Sequence, residues 1–339
     1  MRVVEIRGSF GIENLVETER PEPVPGPGEV AVKVSAASLN FRDLLMVRGH
    51  YNPRQPLPLI PLSDGVGEVI GVGRNVRRVQ IGDRVAGCFV QDFVVRPGPR
   101  DGSHLRRTLG GPIDGMLAEV AVLSAHGVVK VPEHLSDVDA ATLPCAGVTA
   151  WSALVGQGGM QAGDVVVVQG TGGVSLFALQ IAQALGAFVI VTSSSDAKLE
   201  RALAMGAHEG INYVKTPEWG KEVKRLTDRL GADHIVEVGG GGTLQQSIKA
   251  VRRGGHISVI GVLSGGRAEV NVTPILMGNI RLQGVFVGSR TEFQDLNEAV
   301  TRHKIEPIVD RVFPFSEARE AFEYFAEGNH FGKVCISFD

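Results

Sequence analysis

A short glycine-containing turn between two apolar segments is the part of this chain with the clearest chemical meaning. Four consecutive valines lead into Gly170 and Gly172, and an apolar segment at helical spacing follows. Such a turn lets a phosphate approach backbone N–H groups at a helix N-terminus, where the helix dipole favours anions. The third small position of this dinucleotide-binding pattern holds Ser175 in place of glycine. Together with Gly173 and Val174, the turn predicts a pyrophosphate-binding site.

The turn belongs to a longer alternation of apolar strand-like and helix-like segments. The further predicted strands are Phe188–Thr192, Ile211–Val214, His234–Val238, His256–Ile260 and Arg281–Val287. The predicted helices between them are Asp196–Met205, Pro217–Leu230, Thr243–Val251 and Pro274–Asn279, and Asp196 is the expected N-cap of the first. Strands that alternate with helices form a parallel sheet, and six strands complete a Rossmann dinucleotide-binding domain. The alternative is an α/β domain that binds no nucleotide.

Ligands of such sheets bind beyond the carboxyl ends of the strands. Cofactor contacts are therefore expected from residues that follow predicted strands, in addition to the glycine turn. These residues are Ser193, Ser194, Lys198, Tyr213, Gly239, Gly261, Val262, Leu263, Val287 and Ser289. Two of the assignments stay open. Tyr213 supports an adenine or packs at the edge of the core, and Gly239–Gly242 either leave the cofactor channel uncrowded or form a flexible turn.

The end of the second predicted strand bears on the choice of dinucleotide. Enzymes that prefer NAD commonly place a carboxylate there, on the ribose hydroxyls. This chain has Ser193 and Ser194 instead, with Lys198 four residues further on and no carboxylate before Asp196. Because no negative charge repels a 2′-phosphate, NADPH is expected over NADH. NADH stays possible if Asp196 faces the ribose instead of capping the helix.

Composition excludes several classes of function. The chain has 339 residues, enough for two domains, and a net charge of −3, which offers no footprint for nucleic acid or an anionic membrane. No apolar stretch approaches the length of a membrane span, and the first residues read as a strand, not as an export signal. The cysteines Cys88, Cys145 and Cys335 lie far apart and indicate no disulfide framework. A reduced, cytoplasmic protein without membrane or nucleic-acid partners is expected.

The flanking regions differ from the nucleotide-binding region. Residues 1 to about 125 contain short β-type runs broken by Gly and Pro, typical of a partly open β-barrel. The segment Val90–Gly115 lacks periodicity and predicts a long excursion. The C-terminal strand Gly332–Phe338 is expected to return to the barrel. The predicted domains are therefore a discontinuous one, 1–145 with 288–339, and an inserted dinucleotide-binding one, 146–287.

At this point the chain resembles the medium-chain dehydrogenase/reductase superfamily over essentially its whole length. The segments GPGEV, SLNFRDLL, PLSDGVGEVIGVG, LPCAGVTAW, VQGTGGVSLFALQIA and FGKVCI occur in the order of that family. The resemblance is closest to zinc-free, quinone-oxidoreductase-like members. It implies an α/β chain with a GroES-like β-barrel catalytic domain, a Rossmann domain and an active site in the cleft between them. It also implies a nicotinamide cofactor and a homodimer, with strand Gln283–Val287 pairing with its own copy.

Zinc is not expected. Catalytic zinc needs about three Cys, His or carboxylate ligands. Where zinc-dependent relatives have the first thiolate and the histidine, this chain has Asn40 and Ser63, and only Cys145 keeps its residue type. One sulfur with the neighbouring carboxylate of Asp64 makes a poor site, and the lobe at Val90–Gly115 has no cysteine. Cys145 is interpreted as a small buried residue.

Without a metal ion, hydrogen-bond donors must polarise the substrate carbonyl, or the acceptor must be intrinsically electrophilic. The candidates for catalysis are Asn40, Tyr51 and Ser63, and Thr149 resembles a cofactor-contacting threonine. Asn40 either acts on the substrate or forms a turn or helix cap, and Tyr51 is either a donor or a half-exposed loop aromatic. We therefore expect NADPH-dependent hydride transfer to a quinone or an α,β-unsaturated carbonyl compound. The alternatives are an alcohol/aldehyde dehydrogenase of the same superfamily and a non-catalytic NADPH-binding protein.

Overall fold

The computed structural model describes residues 1–338, without the side chain of His104. The chain folds into two compact units, which we describe separately. The first unit combines Met1–Val148 with Gly288–Asp339, and the second is Thr149–Val287. The first unit is therefore built from two separate stretches of chain, and its C-terminal stretch follows the second unit.

Fifteen strands and ten α-helices make up the described part of the chain. The strands are β1 Arg2–Ile6, β2 Leu15–Glu19, β3 Glu29–Ser38, β4 Asp64–Val72, β5 Arg84–Gly87, β6 Val120–Ser124, β7 Val128–Lys130, β8 Val165–Gln169, β9 Phe188–Ser193, β10 Glu209–Asn212, β11 Ala232–Glu237, β12 Val251–Val259, β13 Arg281–Gly284, β14 Val309–Pro314 and β15 Lys333–Ser337. The helices are α1 Phe41–Val47, α2 Asp137–Ala140, α3 Val148–Trp151, α4 Gly173–Ala184, α5 Asp196–Ala204, α6 Trp219–Leu226, α7 Leu244–Ala250, α8 Thr273–Gly278, α9 Arg290–His303 and α10 Ala318–Ala326. Across residues 1–338, none of these helices combines the length and the hydropathy needed to cross a bilayer.

The second unit contains the predicted six-stranded parallel sheet. Its strand order is β10-β9-β8-β11-β12-β13, and every neighbouring pair is parallel. Val166, Val167 and Val168 of β8 are fully buried, as expected for a strand covered on both faces. Strand order reverses between β8 and β11, which creates the switch point where dinucleotides bind in such sheets. The Rossmann prediction is confirmed.

Several predicted boundaries in this unit are wrong. The sixth strand ends at Gly284 instead of Val287. Helix α6 ends at Leu226, because Asp228 and Arg229 adopt positive φ values of 48° and 68° and reverse the chain. The N-cap of α5 is Ser195, whose Oγ accepts from the N–H of Lys198, so the prediction of Asp196 as the cap is wrong.

Strand β3 is the centre of the sheet in the first unit. It pairs antiparallel with β4, β6 and β15, and β14 adds to β15 at one edge. The C-terminal strand thus returns to the N-terminal part of the chain, as the sequence predicts. The loop after β3 leads directly into α1, whose Arg42 guanidinium donates to the carbonyls of Leu109, Gly110 and Gly111. These hydrogen bonds hold the end of the irregular 90–115 segment against α1.

Two histidines on neighbouring strands make the second unit sensitive to acid. The rings of His234 and His256 lie 5.9 Å apart, His234 donates through Nε2 to the Asp164 carboxylate, and the Arg281 guanidinium donates to His256. Burial and the charge of Arg281 lower the pKa of His256 from 6.5 to about 4, and burial lowers the pKa of His234. Below about pH 6.5 the two imidazoles therefore bind protons more readily in the unfolded state than in the folded state.

We predict that stability falls as pH drops from about 6.5 towards 4, and that His256→Asn removes part of this loss. About 1–2 kcal/mol of the difference in unfolding free energy between pH 7 and pH 5 should disappear in the variant. Urea unfolding at the two pH values measures it, with the exposed His134→Asn as control. An unchanged pH dependence in His256→Asn would contradict the assignment.

Candidate functional site

The glycine turn of the second unit has the geometry that a phosphate needs. Gly170 follows β8 with φ +73°, a left-handed conformation that favours glycine, and Gly172 is the N-cap of α4. A Cβ placed on Gly172 would meet no atom within 4 Å, so the space above the helix N-terminus is open. Ser175 is buried and donates through Oγ to the carbonyl of Gln169 at 2.7 Å. The serine therefore ties the start of α4 to the end of β8.

The other strand ends lie along the same edge of the sheet. Because the strands are parallel and in register, the ends of β8, β9, β11 and β12 meet there. Three backbone hydrogen bonds join the loops that follow β11 and β12: Ser264 N–H to the Gly239 carbonyl, Gly241 N–H to the Gly265 carbonyl and Gly261 N–H to the Glu237 carbonyl. The predicted residues Gly239 and Gly261 belong to this joined loop pair, and the side chains of Val262 and Leu263 are exposed beside it.

A buried carboxylate organises this edge. Glu237, at the end of β11, is fully buried and accepts from the N–H groups of Gly239 and Gly240 at 2.8 and 2.9 Å. It also accepts from the hydroxyls of Thr243 and Ser247, both at 2.5 Å. The Nε2 of Gln169, at the end of β8, donates to it at 2.8 Å. Glu237 thus links the two strand ends that flank the switch point and fixes the Gly239–Gly242 turn.

The end of β9 presents hydroxyls, as the sequence predicts. Ser193 is buried and accepts the N–H of Ser195 at its Oγ, whereas Ser194 is exposed. The carboxylate of Asp196 is engaged by Lys215 at 2.5 Å and by the Nδ2 of Asn212 at 2.8 Å.

Tyr213 follows β10, next to the end of β9. Its backbone N–H donates to the Ser193 carbonyl at 3.1 Å, and its side chain is 41% exposed. The ring is therefore not part of the core. This exposure fits a ring that is available to contact an adenine better than a ring packed at the edge of the core. The adenine contact stays a prediction.

The first unit contains a cluster of buried polar side chains where β3, β4 and β15 meet. Asn40, between β3 and α1, donates through Nδ2 to Ser63 Oγ at 3.4 Å. Ser63 donates to Asp64 Oδ1 at 2.8 Å. The Nζ of Lys333 donates to Asn40 Oδ1 at 2.6 Å and lies 4.0 Å from Asp64 Oδ2. The sequence-predicted pair Asn40 and Ser63 is therefore brought together, and Lys333 completes the cluster.

Local structure fixes these groups in place. Asn40 is the N-cap residue of α1, and its backbone N–H donates to Asp43 Oδ2 at 2.9 Å, so Asp43 orients the backbone at the start of this helix. Cys145 lies in a π-helical turn, Leu143–Gly147, and its N–H donates to Asp64 Oδ2 at 3.2 Å.

Tyr51 follows α1 and is 40% exposed. Its ring faces the Arg42 guanidinium, whose central carbon lies 4.7 Å from the ring centroid. This cation–π contact orients a ring that the sequence alone leaves as a possible loop aromatic. Arg42 is itself held by hydrogen bonds to carbonyls of the 90–115 segment, so the position of the Tyr51 ring is fixed through Arg42.

The donor chemistry of this cluster does not suit zinc. Zinc prefers thiolate, imidazole and carboxylate ligands, whereas the cluster offers an amide, a hydroxyl, one thiol and Asp64. Burial and the nearby Asp64 charge raise the pKa of the Cys145 thiol, which disfavours the thiolate. The amide oxygen of Asn40 already accepts from a cation, Lys333. Among the residues that the structure describes, no three His, Cys, Asp or Glu side chains group closely enough to hold a metal ion.

Three further predicted cofactor residues are buried. Thr149 is 3% exposed in α3. Val287 is buried with φ 48°. Ser289 caps α9 in a reciprocal pair with Glu292, since Ser289 Oγ accepts from the N–H of Glu292 and Glu292 Oε2 accepts from Ser289. The Ser289 side chain thus has a structural partner, and its cofactor role stays a prediction.

Sequence reasoning missed Lys333 and Glu237. Each is a single charged residue within an apolar strand, in FGKVCI and HIVEVGG, and such a charge is almost never buried without partners. That rule could have identified Lys333 and Glu237 from the sequence as buried charges with polar partners. It could not have supplied the partners, because Lys333 and Asn40 are 293 residues apart.

Comparison with known proteins agrees with this architecture. The family profile "Alcohol dehydrogenase GroES-like domain" matches residues 26–133, and "Zinc-binding dehydrogenase" matches residues 173–302. The chain is 44% identical over 329 residues to "Zinc-type alcohol dehydrogenase-like protein C1773.06c" of Schizosaccharomyces pombe, covering 95% of this chain and 94% of that protein. The chain belongs to the medium-chain dehydrogenase/reductase superfamily. The predicted GroES-like fold is thereby confirmed.

Other relatives in the superfamily carry the names of enzymes. The crystal structure of an NAD-dependent alcohol dehydrogenase superimposes with a TM-score of 0.90 at 34% identity, covering 99% of both chains. "Acryloyl-coenzyme A reductase" of Sulfurisphaera tokodaii is 28% identical, covering 94% of this chain and 95% of that protein. The protein is an NAD(P)H-dependent oxidoreductase of this superfamily, and the expectation of a nicotinamide cofactor is confirmed.

We predict that Glu237→Gln lowers the unfolding free energy by about 1–3 kcal/mol, because the new NH₂ group cannot accept from the buried donors around it. Urea unfolding at pH 7 measures the effect. Glu218→Gln is the matched control, since Glu218 is exposed and pairs with Lys221 at the surface, where ion pairs contribute little to stability. Equal stabilities of the two variants would show that Glu237 does not organise the strand ends.

Proposed function

We propose that this enzyme reduces a quinone or an α,β-unsaturated carbonyl compound with NADPH and without zinc. The observation that carries the proposal is the cluster of Asn40, Ser63, Asp64 and Lys333. The resemblance matches Asn40 and Ser63 to two metal-ligand positions of zinc-dependent relatives, and here the Lys333 ammonium donates to Asn40. When bound, the nicotinamide supplies a hydride. The residues of the chain then have to bind the acceptor and stabilise the negative charge that develops on its oxygen.

The donors can do this without a metal ion. The Asn40 amide has two N–H groups and can donate one to a carbonyl oxygen, and the exposed Tyr51 hydroxyl offers a further donor. The single hydrogen of the Ser63 hydroxyl is donated to Asp64, so Ser63 holds the cluster together. Hydrogen bonds of this kind contribute several kcal/mol when they are aimed at developing charge in a site that excludes water. A quinone or enone places that charge on an oxygen conjugated with the carbon that receives the hydride. Such acceptors therefore need less activation than a simple ketone or aldehyde.

Three features of the second unit support NADPH as the cofactor. The glycine turn at Gly170–Gly173 with the N-terminus of α4 fits a pyrophosphate. Beyond β9, the hydroxyls of Ser193 and Ser194 and the ammonium of Lys198 suit a 2′-phosphate. The Asp196 carboxylate is neutralised by Lys215, which reduces its repulsion of that phosphate.

A second candidate is alcohol oxidation, since several relatives are named alcohol dehydrogenases or alcohol dehydrogenase-like. A panel of quinones, enones, aldehydes and alcohols, assayed by NADPH oxidation or NADP⁺ reduction with and without a chelator, separates the two. We expect chelator-insensitive oxidation of NADPH with a quinone or enone. Stoichiometric zinc by elemental analysis, together with chelator-sensitive alcohol oxidation, would establish the alternative.

The dinucleotide preference gives a mutational prediction. Ser194→Asp places a carboxylate beyond β9, where a charge about 4 Å from the 2′-phosphate costs up to about 4 kcal/mol before screening. We expect the ratio of the dissociation constants for NADPH and NADH to rise at least tenfold, measured by fluorescence titration. The exposed Ser316→Asp in the first unit controls for the added charge. A lower dissociation constant for NADH in the unmodified protein would reject the preference.

We also propose a homodimer formed through β13. This strand is at the edge of the six-stranded sheet, all of its residues are exposed, and exposed apolar side chains flank it in the chain, including Leu276 and Met277 at 79% and 65%. A copy of the strand would pair with the free edge and cover these side chains.

Leu282→Glu is expected to yield monomers by size-exclusion chromatography at micromolar concentration, because like charges would face each other across the paired strands. Leu230→Glu is the control, since Leu230 is 71% exposed elsewhere in the same unit. A dimer that persists in Leu282→Glu, or a monomeric parent protein, would refute the strand pairing.

A further inference from the structure

Lys333 carries a charge at a position where charge is costly. Its side chain is nearly fully buried in β15, and its Nζ donates to the Leu39 carbonyl and to Asn40 Oδ1, both at 2.6 Å. Its counter-charge, Asp64, is also fully buried. Replacing a buried ion pair by apolar side chains of similar volume is often neutral or stabilising. Packing alone therefore gives no reason for an ammonium group here.

The Lys333 ammonium determines the orientation of the Asn40 amide and its strength as a donor. Because Lys333 can only donate, the amide oxygen must face it, and the NH₂ end is directed to the other side. That NH₂ group is 3.4 Å from Ser63 Oγ, a long hydrogen bond, and its hydrogen bond towards Asp64 helps to lower the pKa of that carboxyl. The long bond to Ser63 leaves one N–H weakly engaged. A cation bound to the amide oxygen also polarises the amide and strengthens its N–H groups as donors.

We propose that Lys333 is a positioning residue for the reduction: it orients and polarises the Asn40 amide so that Nδ2 donates to the substrate oxygen. This inference rests on the proposed reduction of a quinone or α,β-unsaturated carbonyl. The hydride and its electron pair add to the β-carbon of the enone, the C=C pair shifts towards the carbonyl, and the oxygen becomes negatively charged. The Asn40 N–H bonds stay intact, and water supplies the proton that completes the product. The positive charge of Lys333 further stabilises the negative charge on the substrate oxygen, because the site has a low dielectric constant.

Asp64 has to be considered in any test, because removing Lys333 alone leaves a buried carboxylate without its cation. Asp64 still accepts from Ser63 Oγ at 2.8 Å and the Cys145 N–H at 3.2 Å, but an unpaired buried charge destabilises a fold by several kcal/mol. The experiment therefore uses Asp64→Asn as the background. In it Lys333 keeps the Leu39 carbonyl and Asn40 Oδ1 as acceptors but loses its counter-charge, so a thermal melt of this background comes first. In that background Lys333→Met leaves a neutral pair of similar size.

The test is a double-mutant cycle between Lys333→Met and Asn40→Ala in the Asp64→Asn protein. We expect Lys333→Met to lower kcat for the best quinone or enone by about 10- to 100-fold, with KM and the NADPH dissociation constant changed less than threefold. Asn40→Ala should lower kcat similarly, and the combination should be no slower than Asn40→Ala alone. Thermal melts and NADPH binding confirm that each variant is folded.

Additive effects of the two substitutions, or an unchanged kcat in Lys333→Met, would overturn the inference while leaving the proposed function standing. Absence of NADPH oxidation by the unmodified protein across the whole panel would instead overturn the proposed function, and this inference with it. If Asp64→Asn does not fold, Lys333→Gln replaces Lys333→Met in the unmodified chain. The glutamine retains a donor for Asn40 Oδ1 without the charge, so kcat should fall less than in Asn40→Ala, again without additivity.

Discussion

A carboxylate that is cut off from water must be surrounded by donors, and each unit of this protein has such a group at its candidate site. In the second unit Glu237 receives backbone N–H groups, hydroxyls and an amide, and thereby joins the two strand ends beside the switch point. In the first unit Asp64 receives a hydroxyl and a backbone N–H and lies next to an ammonium group. Removing a single partner would leave a buried group unsatisfied, so the partners are constrained together.

The two carboxylates have different consequences for chemistry. Glu237 is saturated by fixed donors and ties the end of β8, beside the Gly170–Gly173 turn, to the Gly239–Gly242 turn. Asp64 has fewer donors, and burial raises its pKa to about 6 although Lys333 opposes the shift. Its cluster includes one side chain with remaining donor capacity, the Asn40 amide, which has two N–H groups. Because of this contrast we place cofactor binding at the strand ends around Glu237 in the second unit. We place the polarisation of the substrate at the polar cluster around Asp64 in the first unit.

How much could be predicted from the sequence follows from the range of the interactions involved. The parallel sheet, the glycine turn and the serines after β9 depend on periodicity and on neighbouring residues, and local sequence is enough to find them. The ends of elements were missed where one or two residues with positive φ reverse the chain, as at Asp228 and Arg229, because nothing in those side chains demands it. Asn40 was left open between a cap and a functional group, and the structure shows that it caps α1 and joins the cluster as well. Lys333 was missed because its importance comes from contacts across nearly the whole chain.

The late position of β15 in the chain has a consequence for biosynthesis. The second unit is contained in one continuous stretch, and all six of its strands emerge from the ribosome before β15 does. In the first unit, by contrast, β3 lacks its partner strand β15 until the end of synthesis. Asp64 lacks its counter-charge until Lys333 has been synthesised. We therefore expect the nucleotide-binding unit to be able to fold during translation, whereas the polar cluster of the first unit forms only near the completion of synthesis.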